Sequence, residues 1–195
     1  MDLALFDFDG TITHQDTFTP FIFYAASKNR VRLGKLVLLP LLIKYKLGWS
    51  LGGDIREKVF RFALKGVATE IAKSKAFEFA EVTIPQYIRS EALDRIDWHQ
   101  QRGDRVVIVS ASLNLYLQPW CRELGVDLIC TEVESANGIL TGNYLGGDCS
   151  SLEKAIRVKQ RYQLEDYDNI YAYGDTPEDN ELLAMTNKRF YQCLK

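Results

Sequence analysis

Asp7 and Asp9 flank Phe8 directly after the apolar opening Leu3-Ala4-Leu5-Phe6, and Gly10-Thr11 follows them. An uninterrupted run over residues 3–8 suits a strand buried on both faces, and Gly10 marks where the chain leaves the sheet. Side chains alternate along a strand, so the two carboxylates point to one side with their backbones about 7 Å apart. At the carboxyl end of a strand in an open α/β sheet, an aspartate reaches solvent while its backbone is held rigidly. Such a pair suits covalent catalysis, one carboxylate attacking while the other moves protons. A structural account also exists, in which Asp-Gly merely ends the strand and Asp7 meets a helix N-terminus.

Further polar groups fall at the ends of other predicted elements. Ser110 ends the apolar strand 106–109, and Lys154 sits in the first turn of a helix expected over 151–162, where the helix dipole disfavours a cation. Gly174-Asp175 ends a strand at 170–173, and Thr176-Pro177-Glu178-Asp179 opens the next helix. Read structurally, Ser110 is a strand-end or capping serine and Lys154 a solvated lysine. Thr176 to Asp179 is then a helix start with a cap, a proline and acids facing the positive end of the dipole. Taken together, the groups place carboxylates, a hydroxyl and an ammonium on one rim. That set suits phosphoryl transfer, whose transition state spreads charge over three equatorial oxygens and needs cations and donors around them.

The elements that must position these groups follow from periodicity. Phe18, Phe21, Ile22 and Ala25 recur at helical spacing, so a helix begins near Asp16 or Thr17, and Asp16 is a candidate cap for it. Further helices are expected at 31–46, 54–65 and 69–82, with no strand before about residue 90. From there helices at 93–101 and 113–124 alternate with strands at 106–109 and 128–130. A β-hairpin flap is expected at 131–145 because of Asn137-Gly138, and a last short strand at 189–193. The βαβα order argues for a parallel sheet.

At this point the chain resembles the haloacid dehalogenase superfamily. Asp7-Phe8-Asp9-Gly10-Thr11 is similar to its first motif, D-x-D-G-T, and Gly174-Asp175-Thr176-Pro177-Glu178-Asp179 to its fourth, G-D-x-x-x-D. Ser110 and Lys154 stand where the second and third motifs would be. The helical insertion, Val109-Ser110-Ala111-Ser112 and the spacing from Cys149 to Lys154 resemble subfamily IB, the phosphoserine-phosphatase-like group. The resemblance implies an α/β fold with a Rossmann-like parallel sheet in a three-layer α/β/α core, residues 1–15 and 91–195, carrying an all-helical cap at 16–90. It implies a magnesium-dependent phosphomonoester hydrolase with Asp7 as nucleophile and Asp9 as general acid and base. Asp7, Asp175, Asp179 and the backbone carbonyl of Asp9 would surround the ion, while Ser110, Ala111 and Lys154 would hold the phosphoryl oxygens. Phosphoserine phosphatases also grip their substrate with a Glu after the first motif and an Arg in the cap; here Asp16 stands at about the first position and Lys58, beside Arg56, at about the second. Lysine lacks the bidentate fork suited to a carboxylate. The substrate is therefore expected to be a small or lipid-head-group phosphomonoester. Phosphoserine hydrolysis, a phosphotransferase and a non-catalytic module phosphorylated on Asp7 are the alternatives.

Bulk properties narrow the classes further. The 195 residues are 47% hydrophobic and 26% charged with a formal net charge of -2, so nucleic acid is not an expected partner. Cys121, Cys130, Cys149 and Cys193 show no C-x-x-C pair, and with His14 and His99 they make no zinc spacing. Met1-Asp2 does not open a signal peptide and no apolar window reaches ~18 residues, so a cytoplasmic location is expected. Lys28, Arg30, Arg32 and Lys35 precede the apolar run 36–43, and Lys44 and Lys46 follow it. Peripheral contact of residues 28–46 with a membrane at its inner face is one expectation for this segment, and a buried cap helix kinked at Pro40 is the other. Hinges between cap and core are expected at 13–16 and 89–91, where the chain crosses.

Overall fold

The computed structural model of the chain describes residues 1–40, 43 and 52–194. At its centre lies β1 (Leu3–Phe6), all four residues of which are fully buried. Leu3 and Leu5 pack with Val107, Val109, Ile129, Val158 and Leu182, whereas Ala4 and Phe6 join Val106, Ile108 and Tyr116 in a separate core. A strand apolar at every position, sending alternate residues to two cores, is what a sheet covered on both faces requires.

β2 (Arg105–Leu113), β3 (Asp127–Ala136), β4 (Ile139–Leu145), β5 (Ile170–Gly174) and β6 (Lys188–Tyr191) complete one sheet in the order β4-β3-β2-β1-β5-β6. All neighbours are parallel except β3 and β4, so the sheet is mixed rather than parallel throughout. The hairpin expected as a flap is continuous with the sheet: β3 runs unbroken past Cys130 to Ala136. Asn137 and Gly138, with φ of 52° and 76°, make the two-residue turn into β4.

Between β1 and the second strand lie α1 (Phe18–Ala25), α2 (Lys28–Val37), α3 (Gly52–Leu64), α4 (Thr69–Val82) and α5 (Ser90–Gln101). α6 (Asn114–Leu124), α7 (Leu152–Arg161) and α8 (Asn180–Ala184) follow. Residues of α5 and α6 pack in the core of Ala4 and Phe6, and residues of α7 and α8 in that of Leu3 and Leu5, which gives the three layers. α2 starts three residues before the expected position because Ser27 Oγ accepts from Arg30 N at 3.3 Å and caps it there. Of the helix expected over 31–46, residues 41, 42 and 44–46 fall outside the described residues, Lys44 and Lys46 among them. Within the described part, α2 buries Gly34 and exposes Leu33, Leu36 and Val37. Among the described residues no helix is long and apolar enough to cross a membrane.

Helices α1 to α4 share the core of the sheet face beneath them. Phe79 of α4 lies 5.4 Å from Phe21 and 5.5 Å from Tyr116 of α6, ring centre to ring centre. The two chain crossings run side by side, with His14 N donating to Tyr87 O at 2.8 Å and Arg89 N to Ile12 O at 2.9 Å. A third tie is not legible in the sequence: Gly66 N donates to Leu140 O, Leu140 N to Val67 O and Thr69 N to Gly138 O, at 2.8–2.9 Å. The segment after α3 is thus hydrogen-bonded to the β3–β4 hairpin.

Candidate active site

Because β1 is paired with β2 on one side and β5 on the other, the carboxyl ends of these strands bring residues 7, 110 and 175 to one edge of the sheet. Asp7 follows the last residue of β1, and its N–H donates to Tyr173 O of β5 at 2.9 Å. Lys154 Nζ, from the first turn of α7, donates to Asp7 Oδ1 and Asp179 Oδ1 at 2.6 Å each. Side-chain exposures of 3%, 7% and 0% for Lys154, Asp7 and Asp179 exclude water from the trio. Burial alone would depress the Lys154 ammonium, but Asp7 and Asp179 hold it raised and charged. Burial pushes the Asp7 carboxyl above the ordinary carboxylate range, with Lys154 opposing the shift. One ammonium between two carboxylates leaves an excess negative charge in a dry site, which a further cation would offset.

Two glycines permit the close approach. Gly10 has φ +84°, and a Cβ there would sit 2.5 Å from Asp175 Oδ2. At Gly174 a Cβ would lie 2.6 Å from that of Asp179. The glycines of both motifs thus make room for carboxylates of the cluster. Gly10→Ala should therefore cost about 1–3 kcal/mol of stability, read from urea unfolding, and should lower activity by displacing Asp175.

Asp175 Oδ1 accepts from Thr11 Oγ1 at 3.3 Å. Asp179 is engaged on both oxygens. Besides Lys154, it accepts from Asp175 N and Thr176 N at 3.1 Å and from the Thr176 hydroxyl at 3.2 Å. Thr176 and Asp179 form a reciprocal capping box, the helix start expected of this turn. Carboxylate oxygens of Asp7, Asp175 and Asp179 lie within 4.8 Å of one another, an all-oxygen set that fits a hard cation such as magnesium.

The Asp9 carboxylate is outside that trio. Its Oδ1 accepts from Thr17 N at 2.7 Å and Thr17 Oγ1 at 2.6 Å, and its Oδ2 accepts from Ser112 Oγ. Burial, aided by the charge of Asp16, pushes its carboxyl up to about 6 against these hydrogen bonds. Thr17 and Ser112 were not singled out from sequence as partners of Asp9; the signal available was a hydroxyl two residues beyond Ser110. Ser110 is fully buried, and its Oγ accepts from Ser112 N at 3.0 Å, which leaves its own proton to donate. Ala111 is half-buried at the same bend of β2.

Asp16 caps α1, accepting from Phe18 N at 3.2 Å and Thr19 N at 2.9 Å. It also lines a cavity of about 430 Å³ between α1, α2 and α3. Lys58 is exposed and does not line that cavity; Arg56 does. Two positions apart on a helix, the side chains diverge by about 200°, so only one of them faces the core edge. Arg56 forks onto Asp148, Nε at 3.1 Å and Nη2 at 2.8 Å, and reaches Glu178 Oε2 at 3.2 Å. Arg56→Gln should cost about 1–3 kcal/mol in urea unfolding, whereas Lys58→Gln should leave the midpoint unchanged. His14 is an exposed loop residue, with Nε2 3.3 Å from Gln86 O.

Three comparisons bear on this geometry. The profile of the haloacid dehalogenase-like hydrolases matches residues 4–184. The chain is 34% identical to Protein CicA of Caulobacter vibrioides, over 99% of this chain and 86% of that one. It is 25% identical to a histidinol-phosphatase of Neisseria meningitidis, over 96% and 88%. A substrate-bound phosphoserine phosphatase has the same fold, with a TM-score of 0.67 at 17% identity over 97% of this chain and 84% of that one.

Proposed function

Because the chain belongs to the haloacid dehalogenase-like hydrolases, with phosphatases among its relatives, we propose that it is a magnesium-dependent phosphomonoester hydrolase working through Asp7. The observation that carries this reading is the buried Asp7–Lys154–Asp179 cluster beside Asp175, at the carboxyl edge of the central strand. Residues 1–15 and 91–195 form the catalytic core in this reading, and residues 16–90 the cap over it.

Asp7 Oδ attacks phosphorus while the bond to the leaving oxygen breaks, giving an aspartyl-phosphate. Asp9 gives its proton to the departing alkoxide and later takes one from the water that hydrolyses the intermediate. A carboxyl shifted to about 6 is suited to exchange protons in both directions near neutrality. Thr17 and Ser112 aim it. Lys154 and the Ser110 hydroxyl hold the phosphoryl oxygens, joined by the backbone N–H groups of Phe8 and Ala111. Asp179, saturated by its four donors, orients Lys154 and the 175–176 turn. Asp7, Asp175 and the backbone carbonyl of Asp9 would hold magnesium, which when bound supplies positive charge against the phosphoryl oxygens and the nucleophile.

The test is phosphate release from small alcohol, sugar, amino-acid and lipid phosphomonoesters, with and without a chelator. Release that magnesium restores after chelation supports the reading, and release indifferent to the metal would sink it.

A further inference from the structure

We propose that Gln192, in the segment that follows β6, is a positioning residue of the metal site: it fixes the peptide units on either side of Asp175 and so preorganises that carboxylate for magnesium. This rests on the reading of Asp175 as a magnesium ligand and deepens it. In β6, Tyr191 stands beside Gly174, the last residue of β5. Gln192 continues that pairing, its backbone N–H donating to Gly174 O at 2.9 Å. Its side-chain Nε2 donates to the next carbonyl, Asp175 O, at 3.0 Å. The N–H groups of the same two peptide units, those of Asp175 and Thr176, both donate to Asp179 Oδ2 at 3.1 Å. Each peptide flanking Asp175 is therefore held at both ends, its N–H by Asp179 and its C=O by Gln192. Rotation about either backbone bond of Asp175 tilts one of these peptides and breaks hydrogen bonds, so the direction in which the carboxylate leaves the backbone is set from two sides.

The conformation of Gln192 fits this task. Its φ of 53° lies in the left-handed region, which a residue with a side chain adopts where its surroundings hold it there. The surroundings do so on both sides: Tyr191 is paired with β5, and Leu194, 7% exposed, belongs to the core of Ala4 and Phe6. The space left between this segment and Gly10, Thr11 and Asp175 is about 10 Å³, at the lower limit for a single water. The residue type matters as well. To meet a carbonyl the side chain must donate, which glutamine does and an ionised glutamate or an apolar side chain does not. With the backbone of Asp175 held in this way, Thr11 Oγ1, 3.3 Å from Asp175 Oδ1, has only the rotation of the carboxylate itself to restrain.

The experiment is calorimetric titration of the metal-free protein with magnesium, beside phosphate release from para-nitrophenyl phosphate at varied magnesium. Three variants enter it. Gln192→Met keeps the backbone N–H and much of the length of the side chain but cannot donate from it. Gln192→Gly removes the side chain while adopting the left-handed backbone without strain, and serves if Gln192→Met does not fold. Arg189→Met is the control, because it removes from β6 the side-chain bonds to Thr186 O and Ala184 O, which do not touch the Asp175 turn. The expected result is a magnesium dissociation constant raised about three- to tenfold in both Gln192 variants, as the loss of one hydrogen bond predicts, and unchanged in Arg189→Met. The magnesium concentration for half-maximal release should rise in the same proportion, with kcat at saturating magnesium within about twofold of wild type. Wild-type affinity in the Gln192 variants overturns the inference, and so does an equal loss in Arg189→Met, which would make the effect one of β6 as a whole. Magnesium binding that depends on Gln192, without phosphate release from any ester, leaves the inference standing and removes the phosphatase reading instead. A wild-type protein that binds no magnesium overturns the inference together with the metal assignment.

Discussion

Asp7→Asn should abolish magnesium-dependent phosphate release, by at least about 10⁴-fold, while leaving the metal-free protein folded and more stable than wild type at pH 8. An amide cannot form the acyl-phosphate, so the loss is of the whole two-step route rather than of one contact. The stability change has the opposite sign for a physical reason. Burial raises the folded-state pKa of Asp7 above its unfolded value, so the folded state binds the proton more tightly. Stability from this group is therefore present at low pH and is lost as pH rises through the folded value. A neutral isostere removes that slope. Urea unfolding at several pH values should show the two proteins converging towards pH 4–5, while the phosphate assay separates them throughout. A variant that is inactive because it is unfolded would fail this comparison, and one that keeps turnover would remove Asp7 as nucleophile.

Lys154→Met should cost about 3–5 kcal/mol of stability at neutral pH and lower kcat by about 10²–10³-fold. Methionine fills much of the same volume, so the loss is electrostatic: Asp7 and Asp179, each 2.6 Å from Nζ, face each other without a cation in a site almost closed to water. Protonation relieves that repulsion, so the deficit should shrink as pH falls, the reverse of a packing defect, which is indifferent to pH. Combining Asp7→Asn with Lys154→Met should recover part of the lost stability, because the single changes act on one shared interaction. Strict additivity of the two would mean that the close approach of Nζ to Asp7 carries no energy.

Much of the candidate site was legible because its residues stand where strands end. Asp7, Ser110 and Asp175 follow apolar runs whose parallel pairing was readable from their alternation with helices, and such pairing brings the ends together whatever the intervening chain does. Gly10 and Gly174 were readable as turns, although their closeness to Asp175 and Asp179 was not. The parallel core was expected, but the continuity of β3 into the hairpin was missed, since a strand that changes partner midway carries no turn residue to announce it.

What the sequence by itself determined is therefore the order of the elements, the identities of the groups at the sheet edge and the chemistry those groups suit. These depend on local periodicity and on covalent order, which a linear string contains. Only the tertiary structure decided that Asp9 is held by Thr17 and Ser112, that Arg56 rather than Lys58 faces the core, and that the segment after α3 is hydrogen-bonded to the hairpin. Those contacts join residues from 8 to 122 positions apart, or depend on how a helix is rotated about its axis. Both are settled by packing against neighbours that no local pattern specifies.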